Sequence, residues 1–176
     1  GTISVDNANL LDATTEGTVT ASIDTDETVD ELKTLTGTHA YTIVIADGNA
    51  TNASASDLNT INEKTSAAID ASAVTALTSD NISNIKTLLT AGNDTNQFTE
   101  TSFSGLTAVT VSDTTLDVSD FVGAVDQANA ATGDTSVVFN ITAADTINGG
   151  TEADFTALLA DESANQVSIT DQNLTV

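Results

Sequence analysis

The sequence predicts an α/β chain, an αβ-solenoid of stacked strand-turn-strand-helix repeats with a parallel sheet on one side and short helices on the other. Three observations point there. An alternating aliphatic stretch that ends in Asp and small polar residues recurs along the chain. A second block with helical spacing follows it and aligns without gaps. Large apolar residues, 11 Ile, 13 Leu, 14 Val and 5 Phe in 176 residues, suit a thin core better than a wide one.

The first block reads Ile3-Ser-Val5-Asp6, Ile43-Val-Ile45-Ala-Asp47, Ala68-Ile69-Asp70, Val109-Thr-Val111-Ser-Asp113 and Val167-Ser-Ile169-Thr-Asp171, with weaker copies at Ala21-Ser-Ile23-Asp24 and Phe139-Asn-Ile141-Thr. Short β-branched alternation predicts strands with one buried face. The Asp and the Asn, Ser, Thr or Gly after it supply turn chemistry, since short polar side chains bond to nearby backbone. A second brief alternation follows in Val74-Thr-Ala-Leu77, Leu116-Asp-Val118 and Leu174-Thr-Val176, so the chain is expected to bend and run on as another strand.

The second block begins at Thr28, Ser54, Thr78, Asp117 and Thr151, each able to cap a helix, with an acid usually at the fourth position, where it meets the positive end of the helix dipole. Apolar residues then fall three apart. Leu88 and Leu89, Val125, or Leu159 extend the stripe, which predicts helices of two to three turns with one buried face. Gly37, Gly92 and Gly133 stand where the helices should stop. The anchors Leu32, Leu58, Ile82, Phe121 and Phe155 are 26, 24, 39 and 34 residues apart, within the range of stacked repeats. Longer repeats should carry loops at Asn93 to Gly105 and Ala143 to Gly150.

One such unit cannot bury its apolar face alone, and stacking supplies the cover. Residues 1–176 are expected to form a single segment of about six irregular repeats, a fragment of a longer chain, because the last copy stops inside the repeat at Leu174-Thr-Val176. Further repeats of the same parent, or identical copies end to end, are the expected neighbours. A doubly wound sheet also alternates strand and helix, but its strands, buried on both faces, are richer in Val, Ile and Leu. Disorder has the same charge signature, yet it does not require aliphatic residues at regular spacing.

Three Lys, no Arg and 26 acids set the net charge at −23. Nucleic acid is bound through Lys and Arg, and anionic membranes through basic clusters, so neither is an expected partner. No apolar run is long enough to insert in a membrane. Cations are the natural counter-partners, and a salty exterior that screens the field suits such a chain.

The stretch from Ile45 to Thr78, with Asp57-Leu-Asn-Thr-Ile61 and Ala-Ala-Ile69-Asp-Ala-Ser at its centre, resembles repeats of very large secreted proteins of marine cyanobacteria, including giant cell-surface proteins associated with motility. The likeness covers residues 40 to 92 well and carries no catalytic motif. It implies an extracellular, low-nitrogen, architectural sequence, at the cell surface or secreted.

No enzyme is expected. The sole His39, between Gly37 and Tyr41, has no visible partners for acid-base work, and there is no Gly-x-Ser-x-Gly elbow. Paired carboxylates that could cut sugars cannot be told from chance among 26 acids. No cofactor is expected other than calcium, for which Asp24, Asp26 and Asp30 are the candidate ligands, in a dense oxygen cluster at a strand-to-helix turn. It is no EF-hand loop, with Val29 at the Gly position and Leu35 at the Glu position, and helix capping with solvation explains the acids better. Sequons at Asn49, Asn52, Asn81, Asn93, Asn140 and Asn173 follow from the 33 Thr, and scattered Thr-x-Thr pairs such as Thr18-Val-Thr20 form no flat ice-binding rank.

Overall fold

Strand and helix alternate along the chain in a computed structural model, which describes residues 1–46, 53–133, 137–142, 146–148, 150–163 and 167–169. The order is β1 (Thr2–Ile3), α1 (Val5–Thr14), β2 (Thr20–Ile23), α2 (Val29–Leu32), β3 (Ala40–Thr42), α3 (Ala55–Asn62), β4 (Ala76–Asp80), α4 (Ile82–Gly92), β5 (Ala108–Val111), β6 (Thr115–Asp117), α5 (Val118–Thr132), β7 (Val138–Ile141), β8 (Thr146–Asn148), α6 (Glu152–Ser163) and β9 (Val167–Ile169).

The sheets run β1-β2-β3, β4-β5-β7-β9 and β6-β8, with every pairing parallel and no closed barrel among the described residues. Parallel neighbours need a long return connection, and a helix or loop supplies it each time. Register sets apolar residues side by side: Ile3 opposite Ile23, Val109 opposite Phe139, Leu116 opposite Ile147. A slip of one residue would turn those side chains to the other face, so burial holds the register.

Between β3 and β4 the ladder thins to isolated parallel bridges, His39 to Thr65, Val44 to Asp70 and Ile69 to Phe98. Two buried hydroxyls reinforce it. Thr65 Oγ1 donates to the Tyr41 carbonyl at 2.6 Å. Ser102 Oγ donates to the Ile69 carbonyl at 3.0 Å and accepts the Ala71 N–H at 3.0 Å. Side chains thus satisfy backbone groups that a regular strand would have paired.

Helices pack on their successors, α2 on α3, α3 on α4, α4 on α5 and α5 on α6. One continuous apolar cluster runs from Val5 to Ile147 between helices and strands. Leu58 and Ile61 of α3, Ile82, Ile85 and Leu88 of α4, and Phe121 and Val125 of α5 are buried in it together with Leu77, Val109, Val111, Phe139 and Ile141 of the strands. Phe121 meets Phe139 edge-on at 5.4 Å between ring centres. Gly92 ends α4 where the buried Phe103 ring presses against it, and a Cβ there would lie 2.7 Å from the ring.

Several sequence-based expectations shift. Ile3-Ser-Val5 is not one strand: β1 stops at Ile3, Ser4 caps α1 by accepting the Asn7 N–H at 3.3 Å, and Val5 and Asp6 lie in the helix. That helix escaped notice because it buries only Val5 and Ala8 and leaves Leu10 and Leu11 exposed, so it has no clear apolar stripe. The cap of α4 is Asn81, three residues after Thr78, which belongs to β4 with Asp80. The helix after Thr28 is a single turn ending well before Gly37. The strands expected at Ile43–Ile45 and Ala68–Asp70 reduce to bridges, the single expected sheet is three, and the loop expected from Ala143 to Gly150 contains β8. Caps at Thr28, Ser54, Asp117 and Thr151 stand as expected. So does the stop at Gly133, which closes α5 at φ 66°. Asp47, Asp171, Leu174 and Val176 lie outside the described residues.

Ser102→Ala is expected to leave the buried Ala71 N–H without its partner and to lower stability by about 1–3 kcal/mol, read as a shifted urea midpoint at unchanged m-value.

Candidate functional site

The first turn of a helix exposes N–H groups with no intrahelical acceptor and carries the positive end of the dipole. Acids from the following unit repeatedly meet that need. Glu27 Oε1 accepts the N–H of Val5, the first residue of α1, at 3.0 Å. Asp80 Oδ2 accepts the Ser56 N–H of α3 at 2.6 Å, and Asp113 Oδ2 accepts the N–H of Ile82, the first residue of α4, at 2.7 Å. Each contact ties one helix to the strand or turn that comes after it.

Asp80 is the most enclosed of these acids, 8% exposed. Burial alone would push its carboxyl up. The Asn84 side chain at 2.9 Å and the backbone N–H groups of Ser56 and Asn81 outweigh that cost, and the carboxyl is held below the ordinary range.

A second recurrent contact joins successive helices. Counting from each N-cap, the fifth residue of one helix reaches the third residue of the next. Lys33, five past Thr28, bonds Asp57, three past Ser54, at 2.7 Å. Asn59, five past Ser54, donates to the carbonyl of Asn84, three past Asn81, at 3.0 Å. Lys86, five past Asn81, bonds Asp120, three past Asp117, at 2.8 Å. Two of the three lysines serve this ladder. Lys33 also meets Asp30 at 2.9 Å, and the hydrogen bonds it donates to Asp30 and then Asp57 hold its ammonium above the usual value.

The three candidate calcium ligands are not brought to one point as a set. Asp24 is partly buried after β2, its N–H on the Ile3 carbonyl at 2.9 Å and its carbonyl accepting from Glu27. Asp26 is exposed in the turn, and Asp30 faces Lys33. The neighbouring Glu31 closes a capping box with Thr28. Among the described residues no group of three or more His, Cys, Asp or Glu is arranged to hold a metal ion.

His39 is 8% exposed, with both ring nitrogens engaged. Nδ1 accepts the Val19 N–H at 3.2 Å, so the proton sits on Nε2 and goes to Asp12 Oδ1 at 2.6 Å. Thr36 first, and His39 next, hold the Asp12 carboxyl below its usual range. In this arrangement the imidazole has no spare lone pair for general-base work. It latches α1 and the segment before β2 to β3. Gly37, at φ 67°, makes room: a Cβ there would stand 2.7 Å from His39 Nε2. Beside it the Tyr41 ring is fully buried and its hydroxyl has no hydrogen-bond partner among the described residues, and burial raises its pKa.

An open groove of about 520 Å³ lies on the helix side between α3 and α4, walled by Asn59, Asn62 and Glu63 on one flank and Ser83, Lys86, Thr87 and Thr90 on the other, with Gln97 at one end. Asn62 Nδ2 donates to Gln97 Oε1 at 2.8 Å across it. Nothing in the sequence pattern singled this groove out, because its residues are ordinary polar positions on two successive helices.

Of the sequons, Asn93 spends its amide on Leu89 and Gln127, Asn81 caps α4, and Asn140 lies in β7. Asn49, Asn52 and Asn173 lie outside the described residues. No helix among the described residues is long and apolar enough to cross a membrane. No protein family, curated protein or solved structure matches the chain.

Two outcomes follow from these contacts. The folded-state pKa of Asp80 lies below its unfolded value, so its stabilisation is present above about pH 3.9 and is lost as pH falls through the lower folded value. Asp80→Asn should therefore cost about 1–3 kcal/mol at pH 7, with the gap narrowing as pH falls below about 3.9 in urea titrations; a gap independent of pH contradicts the assignment. Tyr41→Phe removes a hydroxyl with no partner, so its urea midpoint should equal or exceed that of the wild type.

Proposed function

We propose that this chain is a segment of an αβ-solenoid, a non-enzymatic structural or adhesive repeat module of a large extracellular surface or matrix protein. The repeated junction between successive helices, Lys33 to Asp57, Asn59 to Asn84 and Lys86 to Asp120, carries this reading. Equivalent positions meet at each step although the units differ in length, as stacked copies of one unit would. Parallel pairing of each strand with a strand one unit on supports it further.

The acids support a structural role because several are consumed in joining one element to the next: Asp80, Asp113 and Glu27 cap helices, and the His39 ring is committed on both sides. An extracellular setting rests on the resemblance to secreted cyanobacterial repeats and on the −23 charge, which keeps copies soluble in salty surroundings. Neighbouring units, from the parent chain or another copy, would meet the edge strand β1 and the exposed Leu10 and Leu11 of α1.

In a nearest-neighbour stack, removing units from one end leaves the others folded. Residues 1–133 alone should keep a cooperative urea transition with an m-value reduced roughly in proportion to length; loss of all cooperative folding rules out the stack. Antibody to this segment should label intact, unpermeabilised cells of the source organism. Labelling only after permeabilisation would overturn the surface role, and tight stoichiometric heat on titrating calcium into chelator-treated protein would replace it with a calcium-binding one.

A further inference from the structure

Counted from its N-cap, each helix has one face that receives the helix before it: the third, sixth, seventh and tenth residues, which are three and four apart and so share a side. In α3 this face offers Asp57 to Lys33, and in α4 it offers the Asn84 carbonyl to Asn59. In α5 it offers Asp120 to Lys86, whose chain lies over Gly123, and Gln127, whose carbonyl and side-chain oxygens accept from Asn93 at 3.1 and 2.8 Å. After α2 the sixth residue, Thr34, accepts from Asn9 at 3.1 Å. The seventh residue is sealed each time: Leu35 is 1% exposed, and Ile61, Leu88 and Ala124 are 0% exposed.

Helix α1 has the same face in Asn7, Leu10, Leu11 and Thr14. Here the seventh residue, Leu11, is 44% exposed and Leu10 is 62% exposed. Among the described residues the hydrogen bonds of Asn7 and Thr14 stay within α1 and its cap. The face carries no charge in a chain of net −23, so it offers nothing to a basic partner. Beside it β1 is the edge strand of β1-β2-β3, with backbone groups on its outer side available to a further parallel strand. An uncharged receiving face next to an open parallel edge is one half of the junction that the chain already makes between its own helices, and the occupant it fits is the other half. The chain displays that half too. In α6 the residue five past Thr151, the position from which Asn9, Lys33, Asn59 and Lys86 reach forward, is Thr156; it is exposed, and so is Ala160 one turn on. Strand β9 is the edge of the four-stranded sheet.

We propose that a second copy of this chain docks here head to tail, its α6 and β9 against α1 and β1, with Leu10 and Leu11 packed on the side of α6 that carries Thr156 and Ala160. This inference rests on the stacked-repeat reading. A head-to-tail contact that does not close on itself adds copies in a row. Each copy repels the next through its acids, so salt, by screening that repulsion, strengthens the contact.

Sedimentation of the whole chain from micromolar to millimolar concentration should show oligomers that grow with concentration and with added NaCl. Leu11→Asp, and separately Leu10→Asp at the more exposed position, should raise the dissociation constant roughly tenfold or more with the urea transition retained. The chain has no Cys, so Leu10→Cys and Thr156→Cys together should give a ladder of disulfide-linked oligomers on oxidation, and neither should do so alone. A monomer at every concentration and salt, no ladder from the double variant, dimers linked through Leu10→Cys alone as two α1 faces meeting would give, or association untouched by both aspartates would each overturn the proposal. The stacked-repeat reading is judged separately by residues 1–133: cooperative folding of that fragment beside a strictly monomeric chain removes the docking and leaves the stack.

Discussion

A parallel strand cannot pair with the segment next to it in sequence; its partner lies a whole unit away, and every other feature of this chain follows from meeting that requirement cheaply. The return path must be long enough to come back to the start of the next strand and must hide one face of the ladder from water. Short helices do both. Where a helix is one turn long, as α2 is, the capping box of Thr28 and Glu31 and the Lys33 contact to α3 compensate for the missing turns. Where strand pairing lapses between β3 and β4, buried hydroxyls of Thr65 and Ser102 complete the backbone hydrogen bonds instead.

The acidity of the chain is partly a packing device. A helix start placed beside the end of the following strand offers unpaired N–H groups, and a carboxylate reaching back satisfies them while gaining from the dipole. Asp80 shows the balance: burial opposes its charge, and hydrogen bonds from α3 and α4 more than repay it. Because the bond joins a helix to the strand or turn that follows it, it contributes to tertiary packing as well as to one helix. A chain with almost no Lys or Arg can therefore be cohesive despite its charge, provided its acids find backbone donors in place of cations.

Helix caps were legible in the sequence because Ser, Thr or Asp with an acid three residues on has one physical meaning at a strand-to-helix turn. Strand positions were legible where Val, Ile and Phe alternate, at 109–111, 139–141 and 167–169. Two kinds of feature were not. Helix α1 has no apolar stripe to read, since little packs on its outer face. At Thr78 a cap-like residue three positions ahead of the true cap misled, because Thr is equally at home in a strand and only the Asp80 contacts to Ser56 and Asn81 decide where β4 ends. The groove was invisible for a different reason: it depends on which residues of two separate helices face each other.

That facing is set by the helix ladder itself. At the α2/α3 and α4/α5 junctions a long lysine spans the gap and lays its methylene chain along it. At α3/α4 the equivalent residue is Asn59, whose short side chain reaches the Asn84 carbonyl without covering the space beyond. The same ladder position thus carries an ammonium on a carboxylate at two junctions and an amide on a backbone carbonyl at the third, where the groove lies. What repeats along the helix row is therefore the position of the contact and not its chemistry, and a backbone carbonyl can stand in for a carboxylate where no cation is available.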